Sequence, residues 1–194
     1  MGKGIGGHTR AHRGATDDWI TPRHIVGALG RFDLDPCACT PQPWPCADVS
    51  YTRDDDGLVQ PWDGRIWCNP PYGPRAEPFL AKLAEHGDGV ALLFARTETA
   101  MFHKYVWPIA DALLFLKGRL YFHRPDGTRA SGNSGGPSVL IAYGRENASA
   151  LRDSGLDGAF VPLSQPGRMT TGTTRTPDRP CPENPDSLTR IPAR

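Results

Sequence analysis

A chain of 194 residues can bury one core of ordinary size but is too short for two full domains joined by linkers. Its 22 Lys and Arg nearly balance 21 Asp and Glu, which excludes a global field drawing the molecule onto nucleic acid or membrane; any such contact must be local. No apolar run is long enough to cross a bilayer, and the opening Met1-Gly2-Lys3-Gly4-Ile5 lacks the apolar centre of a secretion signal, so a soluble cytoplasmic protein is expected.

Residues 1–16 combine glycine, histidine and basic residues with almost nothing apolar, and residues 164–194 are rich in Pro, Thr and Arg. Neither stretch can bury enough to offset the entropy of ordering, so both are expected to be disordered, the first as a basic arm. The folded unit is expected over residues 17–163. Phe32-Asp33-Leu34-Asp35 predicts a short strand stopped by Pro36, which cannot donate to a ladder. A second strand, Arg65-Ile66-Trp67-Cys68, breaks off abruptly at Asn69-Pro70-Pro71, and the first proline biases Asn69 toward extended backbone. In residues 77–86, Phe79, Leu80, Leu83 and Ala84 recur at helical spacing, with Pro78 suited to a first turn and Gly87 to a C-cap. The continuously apolar residues 89–95 predict a strand buried on both faces. A helix capped by Thr97 is expected over residues 97–107, followed by buried strands over 112–116 and 138–143. Between those strands, residues 119–123 alternate before a Pro-Asp-Gly turn at 125–127, and Ser131 to Gly136 reads as a flexible loop. Strands separated by helices predict an α/β fold, a mostly parallel sheet with an antiparallel edge, and ligands gathered at the carboxyl ends of the strands.

Two such ends stand out, Asp35-Pro36 and Asn69-Pro70-Pro71-Tyr72. An aromatic amine is a poor nucleophile because its lone pair is delocalised into the ring. Two acceptors aimed at its hydrogens would stabilise the pyramidal, partly cationic nitrogen of an alkyl-transfer transition state. The Asn69 side-chain oxygen and the Pro70 carbonyl supply that pair. Pro70 and Pro71 hold the turn rigid, and Tyr72 offers a ring on which an extruded base can stack. The plainer alternative is a loop punctuated by Asn and Pro with a surface aromatic.

Taken together, Asp18-Trp19-Ile20-Thr21-Pro22, Leu34-Asp35-Pro36-Cys37-Ala38, Asp56-Gly57-Leu58 with Trp62, Trp67-Cys68-Asn69-Pro70-Pro71-Tyr72 and Gly118-Arg119-Leu120-Tyr121-Phe122 resemble the phage-encoded Dam-like DNA N6-adenine methyltransferases, in the same order over roughly residues 17–145. The resemblance implies a Rossmann-like methyltransferase fold binding S-adenosylmethionine and acting on double-stranded DNA. It implies that Thr21 and Pro22 lie against the methionine end of the cofactor, Asp35, Pro36, Cys37 and Ala38 beneath its methionine and ribose, and Asp56 with Leu58 near its adenine. Phe122, after Arg119, falls where similar proteins carry an aromatic beside the target base. Asp35-Pro36-Cys37-Ala38-Cys39-Thr40 replaces the glycine-rich turn common after a first strand. About twenty residues between Asp35 and Asp56 leave little room for a helix and a strand bearing a ribose-binding acid, for which Asp48 is the nearest candidate.

Other constellations point to less. Four of the five cysteines, Cys37, Cys39, Cys46 and Cys68, cluster in a chain without a secretion signal and are expected to be thiols; the Cys37 to Cys39 spacing is too tight for a zinc knuckle, so no metal is expected. His103 and His123 read as surface or loop residues. Trp44 and Trp62 read as packing residues, and Arg96, Lys104, Arg119, Arg124 and Arg129 as a phosphate track or a solvated face. The tetrapeptide alone also suits cytosine N4, RNA adenine or glutamine. A catalytically silent DNA- or cofactor-binding protein is the rival from another class, but a binding module has no need of paired acceptors at a rigid strand end.

Overall fold

The computed structural model describes residues 19–164, so the arm expected over residues 1–16 and the tail beyond residue 164 lie outside the described residues. Seven strands form one sheet: β1 (Leu34–Asp35), β2 (Val49–Ser50), β3 (Ile66–Cys68), β4 (Gly89–Phe94), β5 (Ala112–Leu116), β6 (Ser138–Tyr143) and β7 (Gly158–Pro162). Their order is β2-β1-β3-β4-β6-β5-β7. Parallel ladders join β2, β1, β3 and β4, and antiparallel ladders carry the sheet on through β6, β5 and β7.

Continuous apolarity in the central strands has a direct structural cause, since both faces of the sheet are covered. Val90 and Leu92 of β4 enter one core with Trp67, Leu140 and Ala142, whereas Ala91 and Leu93 enter the other with Ile66, Cys68, Val139 and Ile141. Helices α1 (Arg23–Gly27) and α4 (Arg145–Asp153) cover the first face through Ile25, Val26 and Leu151. Helices α2 (Ala76–His86) and α3 (Ala100–Tyr105) cover the second through Leu80, Leu83 and Phe102. Full burial of a leucine such as Leu80 or Leu83 contributes about 1.5–3 kcal/mol. Helix α2 ends at Gly87, whose φ of 79° suits the left-handed position from which its N–H reaches the Leu83 carbonyl.

Several boundaries differ from the sequence reading. Only Leu34 and Asp35 of the first expected strand enter a ladder; Phe32 is instead buried against Trp67, with the Arg65 guanidinium over its ring. The helix expected over residues 97–107 is shorter and is capped by Thr99, whose Oγ1 accepts the Phe102 N–H, while the Thr97 carbonyl accepts from Trp107 Nε1. Helix α4 and strands β2 and β7 escaped the sequence reading. Strand β2 has two residues, β7 is mostly exposed without alternation, and the coil of residues 36–48 makes the β1-to-β2 crossover without a helix. The alternating residues 119–123 form isolated bridges rather than a strand, His123 pairing with both Ile20 and Arg129. The expected turn closes with the Gly127 N–H on the Arg124 carbonyl.

Candidate active site

Because β1, β3 and β4 are parallel, their carboxyl ends lie side by side and deliver Asp35, Asn69 and Phe94 to one edge of the sheet. Strand β6 runs the other way, so its first residue, Ser138, stands opposite Phe94.

Asn69 follows the last residue of β3 and donates from Nδ2 to the Trp19 carbonyl at 2.9 Å. A carbonyl can only accept, so this contact fixes which end of the amide faces Trp19. The other end, Oδ1, is buried without a hydrogen-bond partner. Leaving such an acceptor unmet costs about 1–3 kcal/mol, and the fold holds it nonetheless. Trp19 belongs to a segment clamped on both sides. Ile20 and His123 exchange backbone hydrogen bonds at 2.9 Å, and Trp44 Nε1 donates to the Thr21 carbonyl at 3.1 Å. Thr21 is 1% exposed and its Oγ1 is a second buried polar atom without a partner; His123 Nδ1 is a third. Pro22, also buried, stands at the N-cap position of α1.

At the end of β1, Asp35 is 4% exposed and accepts the Cys37 N–H at 3.1 Å. Burial pushes its carboxyl up to about 7. Pro36 and Ala38 are buried beside it, and the Ala38 N–H reaches the Tyr51 carbonyl at 2.9 Å. The loop carrying Asp56 and Leu58 lies directly on this turn. A Cβ at Gly57 would sit 2.0 Å from the Pro36 carbonyl oxygen, so only glycine permits the approach. Asp56 itself is exposed, at a φ of 50°, and accepts the Leu58 N–H at 3.3 Å, an Asx turn. Lys82 Nζ on α2 ties the loop down by donating to the Leu58 and Gln60 carbonyls at 2.7 and 2.6 Å. The β1 and β3 ends also touch through sulfur, Cys37 Sγ lying 3.9 Å from Cys68 Sγ.

Pro70 is buried and Pro71 half-buried. The Tyr72 ring stacks on Phe94 with centroids 4.6 Å apart and planes 10° from parallel, and meets the buried Phe122 edge-on at 6.2 Å. Burial pushes the Tyr72 phenol up, so it stays protonated at any physiological pH. The ring therefore has one face already occupied, which the sequence did not disclose.

The sequence-derived residues thus fall into one connected edge. Thr21, Asn69, Tyr72 and Phe122 are linked through Trp19 and the aromatic group, and Asp35, Pro36, Cys37, Ala38, Asp56 and Leu58 through the turn at Pro36. Arg119 is exposed just after Gly118, as are Arg96, Lys104, Arg124 and Arg129. Asp48 precedes β2, at the opposite end of the strand, and is paired with Arg31. Trp19 and Phe94 escaped the reading of site residues. Trp19 acts through its carbonyl, which no side-chain pattern advertises, and Phe94 ends an apolar run that reads as core. Cys37, Cys39, Cys46 and Cys68 form no disulfide, and among the described residues no group of three or more His, Cys, Asp or Glu is placed to hold a metal. Among the same residues, no helix is long and apolar enough to cross a membrane.

The family model described as DNA N-6-adenine-methyltransferase (Dam) matches residues 8–151, well over half of the chain. Neither among curated proteins nor among solved structures does the chain find a match.

Proposed function

Because the chain belongs to the DNA N-6-adenine-methyltransferase (Dam) family, we propose that it transfers a methyl group from S-adenosylmethionine to the N6 amine of adenine in double-stranded DNA in the cytoplasm, on a Rossmann-like sheet. The observation that carries this reading is the Asn69 amide, anchored by Nδ2 to Trp19 with Oδ1 buried and unmet. An acceptor held so is ready for an amine hydrogen before the substrate arrives, and preorganisation of this kind lowers a barrier without reorganisation during the reaction. The Pro70 carbonyl, on the rigid turn that follows, is the second acceptor. As the two hydrogen bonds tighten, the nitrogen lone pair is freed from the ring and would attack the methyl carbon as its bond to the donor sulfur breaks and that sulfur leaves as a neutral thioether; the proton lost afterwards is acidic enough to pass to water.

The donor's part is to present a methyl group on a cationic sulfur. The residues suited to hold it are buried polar groups at this edge. Thr21 Oγ1 is a buried hydroxyl without a partner, and Asp35 is a buried carboxyl whose negative form a cation would favour. Pro36, Cys37 and Ala38 form the floor beneath the donor, Pro22 extends it, and Asp56 with Leu58 flank its adenine end. Tyr72 takes the target base on the ring face turned from Phe94, with Phe122 at its edge and Arg119 toward the DNA backbone.

The test is transfer of labelled methyl to unmethylated duplex DNA, followed by digestion to nucleosides. N6-methyladenine formed by the native protein and absent with Asn69→Ala, at unchanged cofactor affinity, is the expected result. Labelled N4-methylcytosine, or no labelled nucleoside despite cofactor binding, would refute the assignment.

A further inference from the structure

The thiols of Cys37 and Cys68 have no role in the reaction just described, in which Cys37 serves only as part of the floor beneath the donor, yet they stand at its centre. Cys37 follows Asp35 by two residues and its own N–H holds the Asp35 carboxyl. Cys68 is joined by its peptide bond to Asn69. Both side chains pack on the same face of the sheet, with Cys68 fully buried and Cys37 partly exposed, and their sulfurs are 3.9 Å apart. A disulfide needs about 2.05 Å between sulfurs, so closing the bond from 3.9 Å requires both side chains to turn toward each other and fixes the ends of β1 and β3 to one another.

We propose that Cys37 and Cys68 are a modification site, an oxidisable dithiol whose closure to a disulfide by a low-molecular-weight disulfide switches the site off. The consequence for methyl transfer rests on the function proposed above; the bond itself does not. Cys37, the accessible partner, attacks first as its thiolate. A bond forms from its Sγ to one sulfur of the oxidant, the oxidant's S–S bond breaks, and the released thiolate takes up the proton that Cys37 gave up. Cys68 then loses its proton and attacks Cys37 Sγ, expelling the second small thiol. Two protein thiols are oxidised and one small disulfide is reduced to two thiols. The contact with Cys68 and burial hold the Cys37 thiol well above its ordinary value, so exchange is slow at neutral pH and quickens in alkali. Closure links the residue whose amide positions Asp35 to the residue that precedes Asn69, so one covalent bridge acts on both at once.

The experiment uses the full chain with oxidised glutathione at alkaline pH, then mapping of disulfide-linked peptides, cofactor titration and the methyl-transfer assay. The expected result is a Cys37–Cys68 link, with methyl transfer and S-adenosylmethionine affinity each lowered about tenfold or more and both restored by dithiothreitol. Cys68→Ala is expected to trap glutathione on Cys37, since the thiol that lies 3.9 Å away to expel it is gone. Links that join other cysteines, or a Cys37–Cys68 link that leaves cofactor affinity unchanged, would overturn the proposal. Mapping and affinity are read without DNA, so failure of reduced protein to methylate DNA counts against the proposed function alone.

Discussion

Replacing Asn69 by Ala removes two contributions of opposite sign. The Nδ2 contact to Trp19 is one ordinary hydrogen bond, worth about 1 kcal/mol, while the buried and unmet Oδ1 is a liability of about 1–3 kcal/mol. Losing both, with the Trp19 carbonyl left without its donor, nearly cancels, so the thermal midpoint should move by no more than a few degrees. Activity should move the other way. Loss of one preorganised acceptor lowers kcat by about 100- to 1,000-fold, or roughly 3–4 kcal/mol of barrier. Single-turnover methyl transfer at saturating cofactor and DNA, beside a melting curve, reads both numbers on one preparation. A variant that melts well below the native protein, or whose single-turnover rate falls less than about tenfold, would refute the reasoning, because Asn69 would then be a structural residue.

Asp35 gives a pH signature. Its folded carboxyl stands at about 7, above the unfolded value near 3.8, so the folded protein holds the proton more tightly. The stability this group contributes is therefore present at low pH, is lost as pH rises from about 4 to 7, and is flat above, a span on the order of 4 kcal/mol. Cationic cofactor should bind more tightly as pH rises through 7; Asp35→Asn should abolish the slope, and a flat profile in native protein would exclude the carboxylate as cofactor ligand. Tyr72→Phe should keep near-native activity because the phenol never ionises, whereas Tyr72→Ala should lose about 1–3 kcal/mol of base stacking, seen as weaker DNA binding and altered fluorescence of 2-aminopurine at the target position. Gly57→Ala must push the loop away from the Pro36 carbonyl, which should lower stability by about 1–3 kcal/mol and weaken cofactor binding more than DNA binding. Equal effects on both ligands would show that this loop does not face the cofactor.

What the sequence disclosed was whatever is written locally. The Asn-Pro-Pro-Tyr turn is a covalent pattern, and the central strands announce themselves because burial on both faces demands an unbroken apolar run. Helix α4 was invisible for the opposite reason. Its sequence is polar, and it is held in place by Asn147, which accepts from Arg65 Nε at 2.6 Å, 82 residues away, and donates to Asp88 Oδ1 at 2.6 Å, 59 residues away. No window along the chain contains such a pairing. The same holds at the site. That Asn69 would be oriented by the Trp19 carbonyl, 50 residues earlier, and that Phe94 would occupy one face of Tyr72, follow from how the strands align rather than from any residue's neighbours. The helix expected from Thr97 missed by two residues because either threonine can cap, and only the packing of Phe102 and Trp107 chooses between them.

The position of β6 sets an order of events during synthesis. Asn69 to Tyr72, and the strands β1 to β4 through Phe94, leave the ribosome before Ser138 does. Until then the side of β4 away from β3 is a bare edge, because its neighbour there is not β5 but β6, inserted between them. At ribosomal rates this interval lasts several seconds, and an exposed apolar edge is a template for pairing with another chain. The nascent protein thus carries the Asn69 turn on an unfinished sheet, with the Trp19 segment unclamped until His123 has also emerged, and ribosome stalling between residues 95 and 138 should yield aggregates rather than a partly active fragment.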